Sequence, residues 1–194
     1  MSQYFVENPD ILTNERELVL NDFGHSFKFL SNNGLFSCDK VDDASLILIK
    51  NIPEIKGDLL DLGCGYGVIG IVLATLNDVS LTFSDVNKYA LEYAVKNASR
   101  NDVEVFNALY SDGFENIDGF FDVITLNPPI HAGKDVVYRL FKGASEHLKS
   151  SGVFYVVMYK KHGAESSLLK LREIFGHVET VFKKKSCFVF KAFL

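Results

Sequence analysis

Two short runs of this sequence hold residue types that can bind and aim a small organic ligand. The first is Asp61-Leu62-Gly63-Cys64-Gly65-Tyr66-Gly67. Glycine lets the backbone approach a ligand closely and turn sharply into a helix. A dinucleotide loop would read G-x-G-x-x-G, and here the third glycine comes one residue early. Asp61 adds an acid at the head of the loop, which would repel a pyrophosphate but attract an ammonium group. S-adenosylmethionine carries that ammonium on its methionine portion, so the loop suits it better than NAD. The second run is Asn127-Pro128-Pro129-Ile130. Two prolines stiffen the backbone and leave carbonyls without a ladder partner. An Asn oxygen beside a rigid carbonyl makes two acceptors at fixed separation. A planar amino group has two donors to match, and held so it can turn its lone pair toward an electrophile.

Either run alone is an ordinary turn, so the elements around them decide. From Asp58 the chain alternates. DLLDL reads as a strand, followed by the glycine loop and a helix to about Leu76. SLTFS leads to a helix from about Asn87 to Arg100. Asp85 ends that second strand, where a carboxylate can accept from both ribose hydroxyls of a bound nucleoside, with Val86 beside it. VEVF is a short strand and Ser111-Asp112 follows its region. FDVITL, Phe121 to Leu126, delivers Asn127. A helix is expected over Lys134 to Lys149, a turn at Ser151-Gly152, a strand over Val153 to Met158 and a helix over Ala164 to Phe175. HVETVF and CFVFKAF, joined by Lys183-Lys184-Lys185, read as a terminal hairpin. Short apolar strands alternating with helices imply a mostly parallel sheet covered on both faces. Loop, second-strand acid and Asn-Pro-Pro then all lie beyond the strand carboxyl ends, where such sheets bind ligands.

Before residue 57 the sequence is more polar. Asn33-Gly34 between HSFKFL and Leu35-Phe36 is a hairpin signal, because both positions tolerate positive φ. Asp42 or Asp43 can cap a helix through ASLILIKN, which Pro53 stops. The reading is one structural domain, with residues 1–56 an extension packed on a core of residues 57–194.

Composition sets the bounds. With 47% hydrophobic residues the chain has too much apolar content for a disordered tail. Three cysteines cannot all pair, and no run reaches the roughly 20 apolar residues of a membrane span. The opening MSQYFVENPD lacks the basic flank and apolar core of a secretory signal, so a cytoplasmic setting is expected. No C-x-x-C or H-x-x-x-H spacing suggests a metal site. A net charge of -5 disfavours phosphate-driven nucleic-acid binding by the whole surface. Any such contact needs a local patch, for which Lys160-Lys161 with His162, and Lys183 to Lys185, are the candidates.

Taken together, DLGCGYG, Asp85 and NPP resemble class I S-adenosylmethionine-dependent methyltransferases of the small methyltransferase domain group. Within the group the sequence is similar to short relatives of small-subunit ribosomal RNA guanine-N2 methyltransferases. SNNGLFSCDKVD resembles their S-G-V-F-S…K-V-D segment, NPPIHAGK their N-P-P-(I/F)-(R/H)-x-G-K, and VVMYKKHGA their V-V-I-Q-x-K-Q-G-A. The resemblance implies a Rossmann-like, seven-stranded, mostly parallel sheet with an antiparallel C-terminal strand. It implies that Gly63 and Gly65 contact the methionine portion, with Asp61 toward its ammonium, Asp85 on the ribose and Asp112 on the adenine. Cys64, Gly67, Val86 and Asn127 complete the candidate cofactor set. Asn127 and the Pro128 carbonyl would hold the target amine as the catalytic pair. Pro129, Ile130, His131 and Lys134 would meet the substrate, Lys134 through phosphate. The partner implied is ribosomal RNA or the small ribosomal subunit. Larger members carry a second domain, so recognition here is expected from the N-terminal extension and the C-terminal loops.

Two departures stand out. Ile130 occupies a position where many amine methyltransferases have an aromatic to stack on the base. Tyr159 and His162 replace the group's usual glutamines. The same motifs also serve a protein glutamine amide or an adenine N6 as acceptor, and a domain that binds cofactor or RNA without catalysis is the reading from another class. No general base is required for amine methylation, since the product ammonium deprotonates to water. Cys64 has no adjacent His or Asp that would make it a nucleophile.

Overall fold

The computed structural model describes residues 14–194; MSQYFVENPD, read above for a signal segment, lies outside them. Seven strands form one sheet: β3 (Gly57–Leu62), β4 (Val79–Asp85), β5 (Val105–Tyr110), β6 (Phe121–Leu126), β7 (Leu148–Tyr159), β8 (His177–Lys184) and β9 (Cys187–Phe193). Their order is β5-β4-β3-β6-β7-β9-β8. The first five run parallel, while β9 is antiparallel to both β7 and β8. This is the Rossmann-like fold expected from the alternation and the resemblance.

The alternation of side chains explains the two-faced core. Leu59, Val123, Tyr155 and Val157 point to one face, with α1 (Asp43–Lys50), α2 (Val68–Leu76) and α3 (Lys88–Arg100). Their neighbours Leu60, Ile124, Phe154 and Val156 point to the other, with α4 (Lys134–Glu146) and α5 (Ala164–Phe175). Central strands buried on both faces read as continuous apolar runs, as FDVITL and VFYVVM do.

Four local expectations are corrected. The hairpin turn is not at Asn33-Gly34. Instead β1 (Arg16–Asp22) pairs with β2 (His25–Ser31) around Phe23-Gly24. Both turn residues have positive φ, 56° and 75°, so the turn twists with its strands. Asn33-Gly34 starts a separate series of turns, in which the Asn32 side chain accepts from Gly34 N at 2.8 Å. Second, helix α4 ends at Glu146 rather than Lys149, and Ser151-Gly152 lies inside β7, where the pairing with β6 shifts register. Third, β5 is VFNALY rather than VEVF; the strand begins once it can pair with Leu81. At the C-terminus the turn narrows to Lys185-Ser186, because β8 keeps Lys183 and Lys184 in register with Phe188 and Cys187.

Helix α3 fastens the hairpin to the core. Asn97 Oδ1 accepts from Leu30 N at 2.7 Å, and its Nδ2 donates to Leu30 O at 3.0 Å and Tyr66 O at 2.9 Å. One turn on, Asn101 makes the same two-way pair with Lys28. Two asparagines thus satisfy the outer edge of β2 as a strand would, leaving fewer open backbone groups to attract another chain.

Candidate active site

A cleft of about 830 Å³ opens beyond the carboxyl ends of β3, β4 and β6, within the roughly 300–1,000 Å³ usual for small-molecule sites. Its floor is the glycine loop between β3 and α2. Gly65 has φ +55°, and an added Cβ there would meet nothing within 4 Å. Its freedom therefore serves the backbone path and leaves open space on the cleft side. The Gly65 N–H donates to Asp85 Oδ2 at 2.8 Å, and Asn87 N donates to Oδ1 at 2.8 Å. Each Asp85 oxygen is held by one backbone donor and keeps lone pairs for a ligand. Burial pushes the Asp85 carboxyl above the usual range, offset by those backbone bonds.

Gly63, Cys64, Asp85, Val86, Asp112 and Asn127 line the cleft, and so do Pro128, Pro129, Ile130 and His131. Three expected residues do not. Asp61 is fully buried behind the loop. Its Oδ2 accepts from Gly70 N at 2.9 Å and its Oδ1 from Thr125 Oγ1 at 3.1 Å. It braces the start of α2 against β6 instead of reaching for a ligand's ammonium, and burial pushes its carboxyl up to about 7. Gly67, at φ +92°, lets α2 pass α3, since a Cβ there would lie 3.1 Å from Ala94 Cα. Lys134 is exposed at the first turn of α4, beside the turn that carries Lys160 and Lys161. Cys64 is a buried thiol that burial keeps protonated, in keeping with a packing role.

At the other end, Asn127 leaves β6 half-buried. Its Nδ2 donates to Asp42 Oδ2 at 2.8 Å and Ser45 Oγ at 3.0 Å. A carboxylate can only accept here, so the amide nitrogen faces it, and Oδ1 is left without a donor among the described residues, in the cleft wall. The Pro128 carbonyl accepts no hydrogen bond among the described residues. Asp42 also caps α1, accepting from Ser45 N at 2.9 Å, which settles the choice between Asp42 and Asp43.

Several lining residues were not singled out from the sequence. Phe36 stands at the cleft with 54% of its surface exposed. It follows buried Leu35 in the turns that replaced the expected hairpin, and the only signal was its place in the S-G-V-F-S-like segment. Arg139, on α4, pairs with Asp112 at 2.5 Å and Glu115 at 3.4 Å; nothing near it in the sequence marks it. Tyr159 and His162, which the sequence did mark as departures from the group's glutamines, line the cleft too, as an edge-to-face pair with ring centroids 5.9 Å apart. Burial, with Lys161 and His131 nearby, lowers the His162 pKa and favours its neutral ring.

The sheet order, the glycine loop between β3 and α2 and the acid ending β4 define a class I methyltransferase fold. Residues 26–191 match the family described as the methyltransferase small domain, and the chain belongs to that family, whose cofactor is S-adenosylmethionine. It is 40% identical to the Bacillus subtilis protein YbxB over 194 residues, which span 97% of this chain and 96% of that one. It is 40% identical over 131 residues to ribosomal RNA small subunit methyltransferase C of Haemophilus influenzae, covering 64% of this chain but 39% of that protein. Among solved structures, T. thermophilus RsmC, a 16S rRNA N2 methyltransferase with AdoMet and guanosine, superposes with a TM-score of 0.83. That match has 29% identity and covers 92% of this chain and 50% of RsmC. A ribosomal protein L11 methylase from Lactobacillus delbrueckii, 16% identical with a TM-score of 0.62, shares the fold.

Proposed function

We propose that this protein transfers a methyl group from S-adenosylmethionine to an exocyclic amine, guanine N2 of small-subunit ribosomal RNA. The observation that carries the acceptor type is the fixed direction of the Asn127 amide, whose Oδ1 is free beside the unpaired Pro128 carbonyl. Two acceptors side by side suit an amino group and would repel a carbonyl or phosphate oxygen. The likeness to small-subunit RNA methyltransferases supports guanine N2 over the amide and adenine readings.

The cofactor supplies a methyl on a cationic sulfur, which leaves as a neutral thioether when the methyl moves to nitrogen. The chain's residues would do the rest. Gly63 and Gly65 leave room for the methionine portion, Asp85 offers lone pairs to the ribose hydroxyls, and Asp112 keeps an oxygen beyond its Arg139 pair for the adenine amino group. Asn127 Oδ1 and Pro128 O accept both N–H bonds of the substrate amine, which draws its lone pair out of ring conjugation. They also stabilise the positive charge that develops on nitrogen before its proton passes to water. Alignment of this kind lowers barriers by roughly 7–11 kcal/mol in well-ordered cases.

Phe36 supplies the stacking surface that Ile130 lacks. It is a large exposed aromatic at the same cleft. A base reaching this depth must leave its stack, and an exposed aromatic face offsets that loss. Lys134, Lys160 and Lys161, on the α4 side, would face the RNA backbone despite the acidic whole.

The test uses tritiated S-adenosylmethionine with ribosomes and total protein from cells lacking this gene. Label in N2-methylguanosine from small-subunit RNA is the expected result. Label in protein or in N6-methyladenosine would replace the acceptor assignment.

A further inference from the structure

Asp42 lies 85 positions before Asn127, yet one of its oxygens organises the catalytic amide. Asp42 Oδ2 accepts from Ser45 N at 2.9 Å, Ser45 Oγ at 3.2 Å and Asn127 Nδ2 at 2.8 Å. Capping α1 requires only the first of these bonds, and Ser, Thr or Asn would provide it as well. The other two bonds go beyond a cap.

The need for them follows from the symmetry of an amide. An Asn side chain turned by half a revolution exchanges its oxygen and nitrogen with little change in shape. A hydroxyl neighbour does not resist the exchange, because it can donate or accept. Ser45 alone would therefore leave Asn127 free to present either atom. A carboxylate accepts only. Asp42 orients the Ser45 hydroxyl as a donor toward itself, so that Ser45 Oγ presents a lone pair to Asn127. Asp42 also takes the second amide N–H directly. Both partners then demand nitrogen, and the oxygen has one direction left. The nearby negative charge further polarises the amide and strengthens Oδ1 as an acceptor.

We infer that Asp42 is a positioning residue for methyl transfer: through Ser45 it holds the Asn127 amide with its oxygen toward the acceptor amine. The inference rests on the reading above that Asn127 Oδ1 receives that amine. It also gives the segment around Asp42 a part in rate, beyond the packing of α1 against α2.

The deciding variants are Asp42→Asn, which can still cap α1 but offers an ambiguous amide, and Asp42→Ser, which caps but does not reach. Asp42→Asn is expected to keep its melting temperature and cofactor affinity while kcat on RNA falls on the order of 10²-fold, with KM little changed. Asn127→Ala should be equally slow, and adding Asp42→Asn to it should cost nothing more. Multiplying losses in the double variant would overturn the inference, because Asp42 would then act apart from Asn127. A second readout needs no substrate. The two Asn127 side-chain amide protons should exchange slowly and resonate far apart in the nitrogen-15 spectrum, then collapse toward free-amide behaviour in Asp42→Ser. Unchanged Asn127 signals there would overturn the clamp even if no RNA proved to be a substrate. Absence of methylation by the wild type, with the collapse present, would instead remove the acceptor assignment and keep the clamp.

Discussion

Replacing Asp61 by Asn isolates one buried charge beneath the glycine loop. The substitution conserves shape and bonding. An amide oxygen can accept from Gly70 N, and the amide nitrogen can donate to Thr125 Oγ1 once the hydroxyl proton turns from residue 61 to Leu60 O, 3.4 Å away. What disappears is the titration. Burial raises the folded Asp61 carboxyl from 3.8 to about 7. A group raised in the fold contributes stability in its protonated form, in full below about pH 4, and loses it as pH climbs to about 7. Across that whole interval the loss amounts to about 4 kcal/mol, at about 1.36 kcal/mol per pH unit. The amide in the variant does not titrate and so loses nothing. Urea unfolding of both proteins at steps from pH 5 to 8.5 measures the difference directly. Asp85 titrates in both proteins, and its charge is the smallest of the causes acting on Asp61. The variant should gain on the wild type by on the order of 2–3 kcal/mol between pH 5 and 7 and hold that margin above pH 8. A pH-independent difference would refute the argument, as would a wild type that gains on the variant with rising pH. Cofactor affinity at pH 8 should change little, because the carboxylate braces α2 from behind the cleft. A large loss would return Asp61 to the ammonium.

Other expectations follow from the same geometry. Asn127→Ala should lower kcat by about 10²–10³-fold while cofactor binding, read by calorimetry, stays within a few-fold. Phe36→Ala should raise KM for RNA by roughly 5- to 150-fold, the equivalent of one stacked base, and Phe36→Tyr should restore it. Gly67→Ala puts a Cβ against the Ala94 backbone at positive φ and should cost about 1–3 kcal/mol, seen as a lower melting temperature. Gly65→Ala, in open space, should lose less stability and more cofactor affinity.

The sequence carried the sheet well, because its information is local. FDVITL and Ala164 to Phe175 match their elements at both ends. Asp85 and Asn127 also stand where the motif spacing put them, each at the end of a strand whose burial is written into its apolar run. The hairpin was misread for a physical reason. Asn-Gly is a strong turn signal wherever it occurs, and Phe23-Gly24 carries a bulky residue at a positive φ that propensity disfavours. Tertiary contacts overrode propensity: Asn97 and Asn101 hold β2 on its outer edge and fix which strand pairs inside.

The cleft's polar wiring was less legible, and the reason is the distance in sequence between its partners. A helix cap at Asp42 or Asp43 is legible from the apolar run that follows, and the bond from Ser45 N picks Asp42. Its second role depends on Asn127, which the chain brings back only after four strands have been laid down. Asp61 shows the converse. Its position before a glycine loop suggests a ligand contact, while its 0% exposure and two protein partners make it part of the scaffold. A carboxylate's function is set by which donors remain free around it once the strands have paired. Asp85 keeps lone pairs facing the cleft, Asp61 spends its acceptors on α2 and β6, and Asp42 spends its on the orientation of another side chain. The three acids stand at similar turns in the sequence. Asp85 ends with lone pairs open to the cleft, while Asp61 and Asp42 are committed to protein donors.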